Sequence, residues 1–171
     1  TQAEILERRN VMRLFGLMKE RIPAFRSAHL ISTSPIGFRE TRNIVGDYTI
    51  TKEDVIKGAR FPDGIAKGGY PIDIHDPKGG RTRFYFIEDG GSYDVPYRAL
   101  LPRDIEGLLV AGRAISATHE AHGSTRIMGC VVSQGEAAGT AAALAAKHGV
   151  TPRHIDVKEL RSILIANGAV L

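Results

Sequence analysis

Asp73 and His75 stand two apart in the run Tyr70-Pro-Ile-Asp73-Ile-His75. On a strand, residues i and i+2 project to the same side, so the carboxylate can orient the imidazole for proton transfer or substrate binding, with a structural hydrogen bond as the competing use. In the stretch Gly37 to Ile50, Arg39 and Arg42 fall on opposite faces. Glu40 shares the face of Arg42 and pairs with it, which leaves Arg39 as the candidate for an anionic substrate group. His119 and Arg126 lie in a loop ahead of a small-residue helix and are candidates for substrate contact.

Other spacings come close to known motifs and fail. Gly107 to Ala114 has the glycine spacing of a phosphate-binding loop, but Arg113 replaces the lysine and Ala114 the metal-binding hydroxyl. His119-Glu-Ala-His122 puts the second histidine at i+3 where a zinc protease needs i+4, and no convincing third ligand follows. No G-x-G-x-x-G occurs, so a complete dinucleotide-binding βαβ unit is absent from these residues. The single cysteine, Cys130, cannot form an internal disulfide and reads as a small buried thiol, in keeping with a reducing, cytoplasmic setting.

The elements that must position these groups follow from periodicity and punctuation. Residues 3–22 read as an amphipathic helix stopped by Pro23, and 28–34 as a short strand. Thr51 to Asp54 has the form of a capping box opening a short helix that Gly58 can end. Three glycine pairs separate the β-prone runs 70–75, 83–88 and 93–100, which predicts an antiparallel meander. Leu108 to Ala111 reads as a buried strand, 133–148 as a small-residue helix ended by Gly149, and 156–166 as a last helix stopped at Asn167-Gly168. Composition agrees with a globular chain: of 171 residues 43 % are hydrophobic and 25 % charged, the net charge is +4, and 19 are glycine. The basic residues do not cluster with aromatics and no apolar run reaches a bilayer's thickness, so neither nucleic acid nor membrane is an expected partner.

The order strand, glycine, loop, helix across 107–146 is the strongest signal. A strand that ends in glycine and feeds a helix start places unpaired amides and a positive dipole end together, where α/β proteins take ligands. Gly129, Gly135 and Gly139 would let a flat ring approach the backbone, or let the helix pack closely on a neighbour.

These residues carry a resemblance. Gly37-Phe-Arg39-Glu-Thr-Arg42, Gly46-Asp47-Tyr48, Tyr70 to His75, Pro96-Tyr97-Arg98 to Pro102, Leu108-Leu-Val-Ala-Gly112-Arg113-Ala-Ile-Ser116 and Gly135-Glu-Ala-Ala-Gly139 occur in order. The chain resembles the C-terminal part of FAD-dependent oxidoreductases that have a glutathione-reductase-like flavin domain and an inserted substrate domain. The resemblance implies an α+β piece of an α/β flavoprotein: an N-terminal amphipathic helix (1–29), an antiparallel substrate-domain portion (30–103), the closing strand, loop and helix of the FAD domain (104–150) and a C-terminal helix (151–171).

It implies FAD as cofactor, with the strand 108–112 beside the ribityl chain and the start of the 133–146 helix facing the pyrimidine carbonyl of the isoalloxazine. The cofactor-facing positions are then Gly112, Arg113, Ser116, Gly129, Cys130, Ser133, Gln134, Gly135 and Gly139. Arg113 stands where many flavoproteins have an acidic residue, which leaves its role open. The catalytic or substrate-binding positions are His75, His119, Arg39 and Arg126. With the adenine-binding unit missing, the chain looks like a fragment, a truncation or one subunit of a split enzyme, expected to need an N-terminal FAD-binding partner region and to bind FAD weakly alone. Its small-molecule substrate is not named by the sequence, and self-association is an open partner. The alternative is a non-enzymatic folded fragment or assembly subunit whose glycines serve packing.

Overall fold

The computed structural model describes every residue except 1, 36, 38–41 and 77–79, so Arg39 and most of its motif lie outside the described residues. The chain divides into two compact units, Thr1–Phe38 and Arg39–Leu171.

In the first unit, α1 (Gln2–Arg21) occupies the expected amphipathic stretch, and Pro23 opens a single 3-10 turn beyond it. None of its residues is buried, because apolar side chains are spread around the whole helix circumference. The returning segment is held by hydrogen bonds from Arg8 to Thr33 Oγ1 (2.6 Å) and from Lys19 to the carbonyl of Ala28 (3.2 Å). The strand expected over 28–34 does not form: the described residues of this unit offer no second strand, and an isolated strand has no ladder to satisfy its backbone.

The second unit is built on two nested antiparallel pairs. The strands are β1 (Gly64–Gly68), β2 (Ile72–Ile74), β3 (Arg83–Tyr85) and β4 (Tyr93–Pro96). β1 pairs with β4 and encloses the β2–β3 hairpin, so the expected meander is replaced by a hairpin within a hairpin. The reason is visible at Gly68, whose missing side chain is the space that the Tyr93 ring fills. That close approach selects β1 as the partner of β4 in place of β3.

Four helices cover these strands and their connections. α2 (Lys52–Ile56) starts on the full capping box, with Thr51 accepting from the Asp54 amide and Asp54 from the Thr51 amide. α3 (His119–Thr125), capped by Thr118, lies against β2. The long α4 (Met128–His148) crosses β1, and its inner face of Ala137, Ala141 and Leu144 forms the core with Ile65, Val95 and Leu100. Small alanines here let the helix axis come close to the sheet. α4 ends at Gly149 in the left-handed region (φ +64°). α5 (Val157–Ala166), capped by Asp156, buries Leu160 and Leu164 at i, i+4 on α4 and β1.

Two expectations about the ligand-binding end need correction. Leu108 to Ala111 is not a buried strand: Leu108 is 42 % exposed, and the segment's bond to the rest of the unit is the Val110 amide on the Leu100 carbonyl (2.9 Å). No described strand lies alongside to make a ladder. The small-residue helix starts at Met128, five residues ahead of Ser133, so Ser133 and Gln134 are interior to it. The fold is α+β, and no described helix is long and apolar enough to cross a membrane.

Candidate functional site

α3 and α4 meet at a sharp corner, Arg126-Ile127, and that corner organises the site. Arg126 is the C-cap of α3 and Ile127 the N-cap of α4. Ile127 has no side chain that can cap, so no side chain bonds the first-turn amides of α4, which gather at an exposed helix start. Met128 there is 83 % exposed, and a Cβ on Gly129 would meet nothing within 4 Å.

Behind the corner, Gln134 is fully buried and joins three segments. Its Oε1 accepts from the Gly112 amide (2.9 Å), and its Nε2 donates to the Thr125 carbonyl and to Cys130 Sγ (both 3.2 Å). Gly112 can sit there because its φ of +81° is open to glycine. Gln134 therefore acts by positioning the 110–113 loop against α4. Cys130 is buried too, and burial pushes its thiol up against the opposing hydrogen bonds from Gln134 and Tyr93, which keeps it a protonated packing group. Ser116 is equally enclosed, its hydroxyl 2.9 Å from Thr49 Oγ1.

On the other side of the corner, Arg126 forms an ion pair with Asp73, each side chain only 11 % exposed. The second oxygen of Asp73 lies 3.4 Å from His75 Nε2, and His75 Nδ1 lies 3.2 Å from Thr82 Oγ1. Two residues expected to act separately, His75 and Arg126, are thus joined through one carboxylate, although 53 positions separate Arg126 from Asp73. Gly123 makes the approach possible: a Cβ there would stand 2.8 Å from the Asp73 carbonyl oxygen.

The remaining expected residues are placed as follows. Arg113 and His119 are exposed, His119 as the first residue of α3 and Arg113 on the 3-10 turn Gly112–Ala114. Gly135 and Gly139 lie on the outer face of α4, roughly 10 Å and more along the axis from Met128, with nothing near them. Ser133 bonds back to the Gly129 carbonyl (3.2 Å). His122, part of the zinc-like spacing, is buried with Nε2 3.0 Å from the Arg113 carbonyl oxygen. Sequence reasoning missed Thr125, whose buried Oγ1 has no partner within the chain. No spacing rule would have found it, since its isolation arises only where α3 and α4 meet.

These features suit a flavin. Uncapped amides at a helix start match the carbonyl-rich, electron-accepting edge of an isoalloxazine, and a buried hydroxyl without a partner beside them is a donor kept for a ligand. An amide-lined mouth next to a carboxylate-imidazole-guanidinium cluster is the layout of a cofactor-dependent oxidoreductase. A family model described as FAD dependent oxidoreductase matches residues 1–164. The chain belongs to that family, and FAD is the cofactor of the complete protein. No curated protein and no solved structure matches it significantly.

Proposed function

We propose that this chain supplies the isoalloxazine-facing and substrate-facing residues of a flavin-dependent oxidoreductase, with the adenine and pyrophosphate held by a region outside these 171 residues. The observation that carries it is the uncapped start of α4 opening two residues from Arg126, the anchor of the Asp73–His75 cluster. The amides of Met128 and Gly129 would hold the pyrimidine edge, Thr125 would donate nearby, and the 110–113 loop, fixed by Gln134, would flank the ribityl chain. Bound FAD supplies two-electron, hydride-accepting chemistry. The dipole of α4 favours negative charge at its start by about 0.3–1 kcal/mol.

Asp73 holds the imidazole through Nε2, and His75 takes the substrate's proton at Nδ1, where Thr82 now stands at 3.2 Å. Arg126, neutralised by Asp73, keeps that carboxylate ionised and in place. The outward Met128, Val132, Gly135 and Gly139 form a smooth face that suits packing of the rest of a flavin domain.

Gly129→Asp tests the reading. An aspartate in the first turn of α4 suits the helix dipole but occupies the amides. The flavin-loaded protein should lose FAD affinity by at least about tenfold, with an unchanged far-ultraviolet circular dichroism spectrum. Unaltered FAD binding would remove the mouth from the cofactor site.

A further inference from the structure

The β2–β3 hairpin has one face that the proton-handling cluster only partly uses. The register pairs Asp73 with Phe84 and Ile72 with Tyr85. Residues directly opposite in an antiparallel pair share a face. Ile72 is fully buried, so its face, with Tyr85, turns to the core, and Asp73 and Phe84 turn the other way. Alternation places His75 and Phe86 on that second face.

There, Phe84 and Phe86 stack on each other with ring centroids 6.4 Å apart and planes 27° from parallel, although they are 50 % and 71 % exposed. Stacked, water-facing phenyl rings on a hairpin cost solvation and contribute little to the core, so they mark a contact surface. A cleft of about 190 Å³ opens next to Phe86, walled by Pro71 and by Gly69, Gly90 and Gly91, whose lack of side chains keeps it clear. The polar end of the same face is His75 with Asp73 and Thr82.

From this juxtaposition we infer that Phe84, Phe86 and the cleft beside them form a subsite for the flat, apolar face of a six-membered ring whose hydroxyl group is turned toward His75. The rings supply stacking and the cleft supplies shape, while the polar end supplies the hydrogen bonds that orient a hydroxyl for proton removal. The inference rests on the proton-handling role of His75 given above. It adds the substrate class: a hydroxylated ring compound, aromatic or saturated.

Calorimetric titration of the flavin-loaded protein with 4-hydroxybenzyl alcohol, with methyl β-glucopyranoside and with glycerol tests it. One of the two ring compounds should bind and the acyclic polyol should not; the compound that binds tells which ring class is taken. Phe84→Ala/Phe86→Ala should weaken that binding about three- to tenfold, the range for an aromatic stacking contact. Phe86→Leu, which keeps an apolar side chain and removes the ring, should weaken it in the same direction and gives the answer should the double variant misfold. Failure of both rings to bind, binding of glycerol as tight as that of the rings, or unchanged affinity in the phenylalanine variants overturns the subsite. His75→Gln separates the two readings: ring binding that survives it but is lost in the phenylalanine variants supports the platform and removes His75 from contact with the hydroxyl.

Discussion

The side-chain oxygen of Gln134 accepts the amide hydrogen of Gly112 at 2.9 Å across 22 residues of sequence, with both groups buried. That bond fixes the 110–113 loop to α4, while the same amide group reaches the last carbonyl of α3 through its nitrogen. One residue therefore sets how the loop, the corner and the helix start lie together.

Gln134→Leu keeps the volume and removes both functions. The Gly112 amide and the Thr125 carbonyl would be left buried without partners, at about 1–3 kcal/mol each. Urea denaturation should show a loss of about 2–4 kcal/mol, and hydrogen exchange at Gly112 should accelerate. A midpoint within error of the wild type would mean that water or a shifted loop replaces the bonds.

Asp94 governs the acid limb of stability. Burial of its carboxylate opposes ionisation, but Arg60 at 2.8 Å, the Phe61 amide at 3.1 Å and Lys67 at 3.0 Å outweigh it and hold the group below its ordinary 3.8. A group with a lowered folded-state pKa contributes stability that is present above the unfolded value and lost as pH falls through the folded one. Stability should therefore decline below about pH 4. In Asp94→Asn this part of the decline should vanish, with an overall loss of about 2 kcal/mol at neutral pH. Parallel acid limbs in the two proteins would show that other carboxylates set it.

Tyr48 governs the opposite limb. Partial burial, together with its hydrogen bond to Asp54 at 2.9 Å, pushes the phenol up to about 12 from 10.0. Its contribution is fully present below the unfolded value and is lost as pH rises from 10 towards 12. Tyr48→Phe keeps the edge contact with Phe61, whose ring centroid is 5.0 Å away, and should flatten the stability profile across that window. Spectrophotometric titration of tyrosinate against thermal midpoints checks it. A wild-type midpoint constant from pH 10 to 12 counts against the assignment.

What the sequence revealed of this arrangement follows from which physical signals are local. α1, α2 and α5 carry their own start and stop chemistry in Pro23, the Thr51–Asp54 capping box and Asp156 with Asn167-Gly168, and each formed within a residue or two of its expected limits. β1 has no such signal: a five-residue run with glycine at both ends reads as a turn until Tyr93 covers Gly68. α3 was hidden by the modest helix propensity of His-Glu-Ala-His-Gly-Ser-Thr, although Thr118 gave a usable cap. The pairing of Asp73 with His75 was legible as strand alternation. Arg126 arrives from a different element, and no local rule places it on Asp73. The 108–111 run has strand composition, but composition cannot supply a neighbouring ladder.

Gly123 offers the test that separates geometry from charge at the cluster. A Cβ at this position would sit 2.8 Å from the Asp73 carbonyl oxygen and 3.2 Å from its amide nitrogen, both backbone atoms that cannot turn aside. Gly123→Ala should therefore push β2 away from α3, weakening the ion pair between Asp73 and Arg126 without altering either residue. The cost in stability should be about 1–3 kcal/mol, and turnover should fall even at saturating substrate. Asp73→Asn reaches the same pair chemically: it leaves the largely covered Arg126 without a counter-charge and the His75 imidazole without a carboxylate. If the cluster works as one unit, combining Gly123→Ala with Asp73→Asn should cost clearly less activity than the product of the two single losses. Multiplying effects would show that Gly123 serves packing alone and that the position of Asp73 relative to Arg126 is immaterial to turnover.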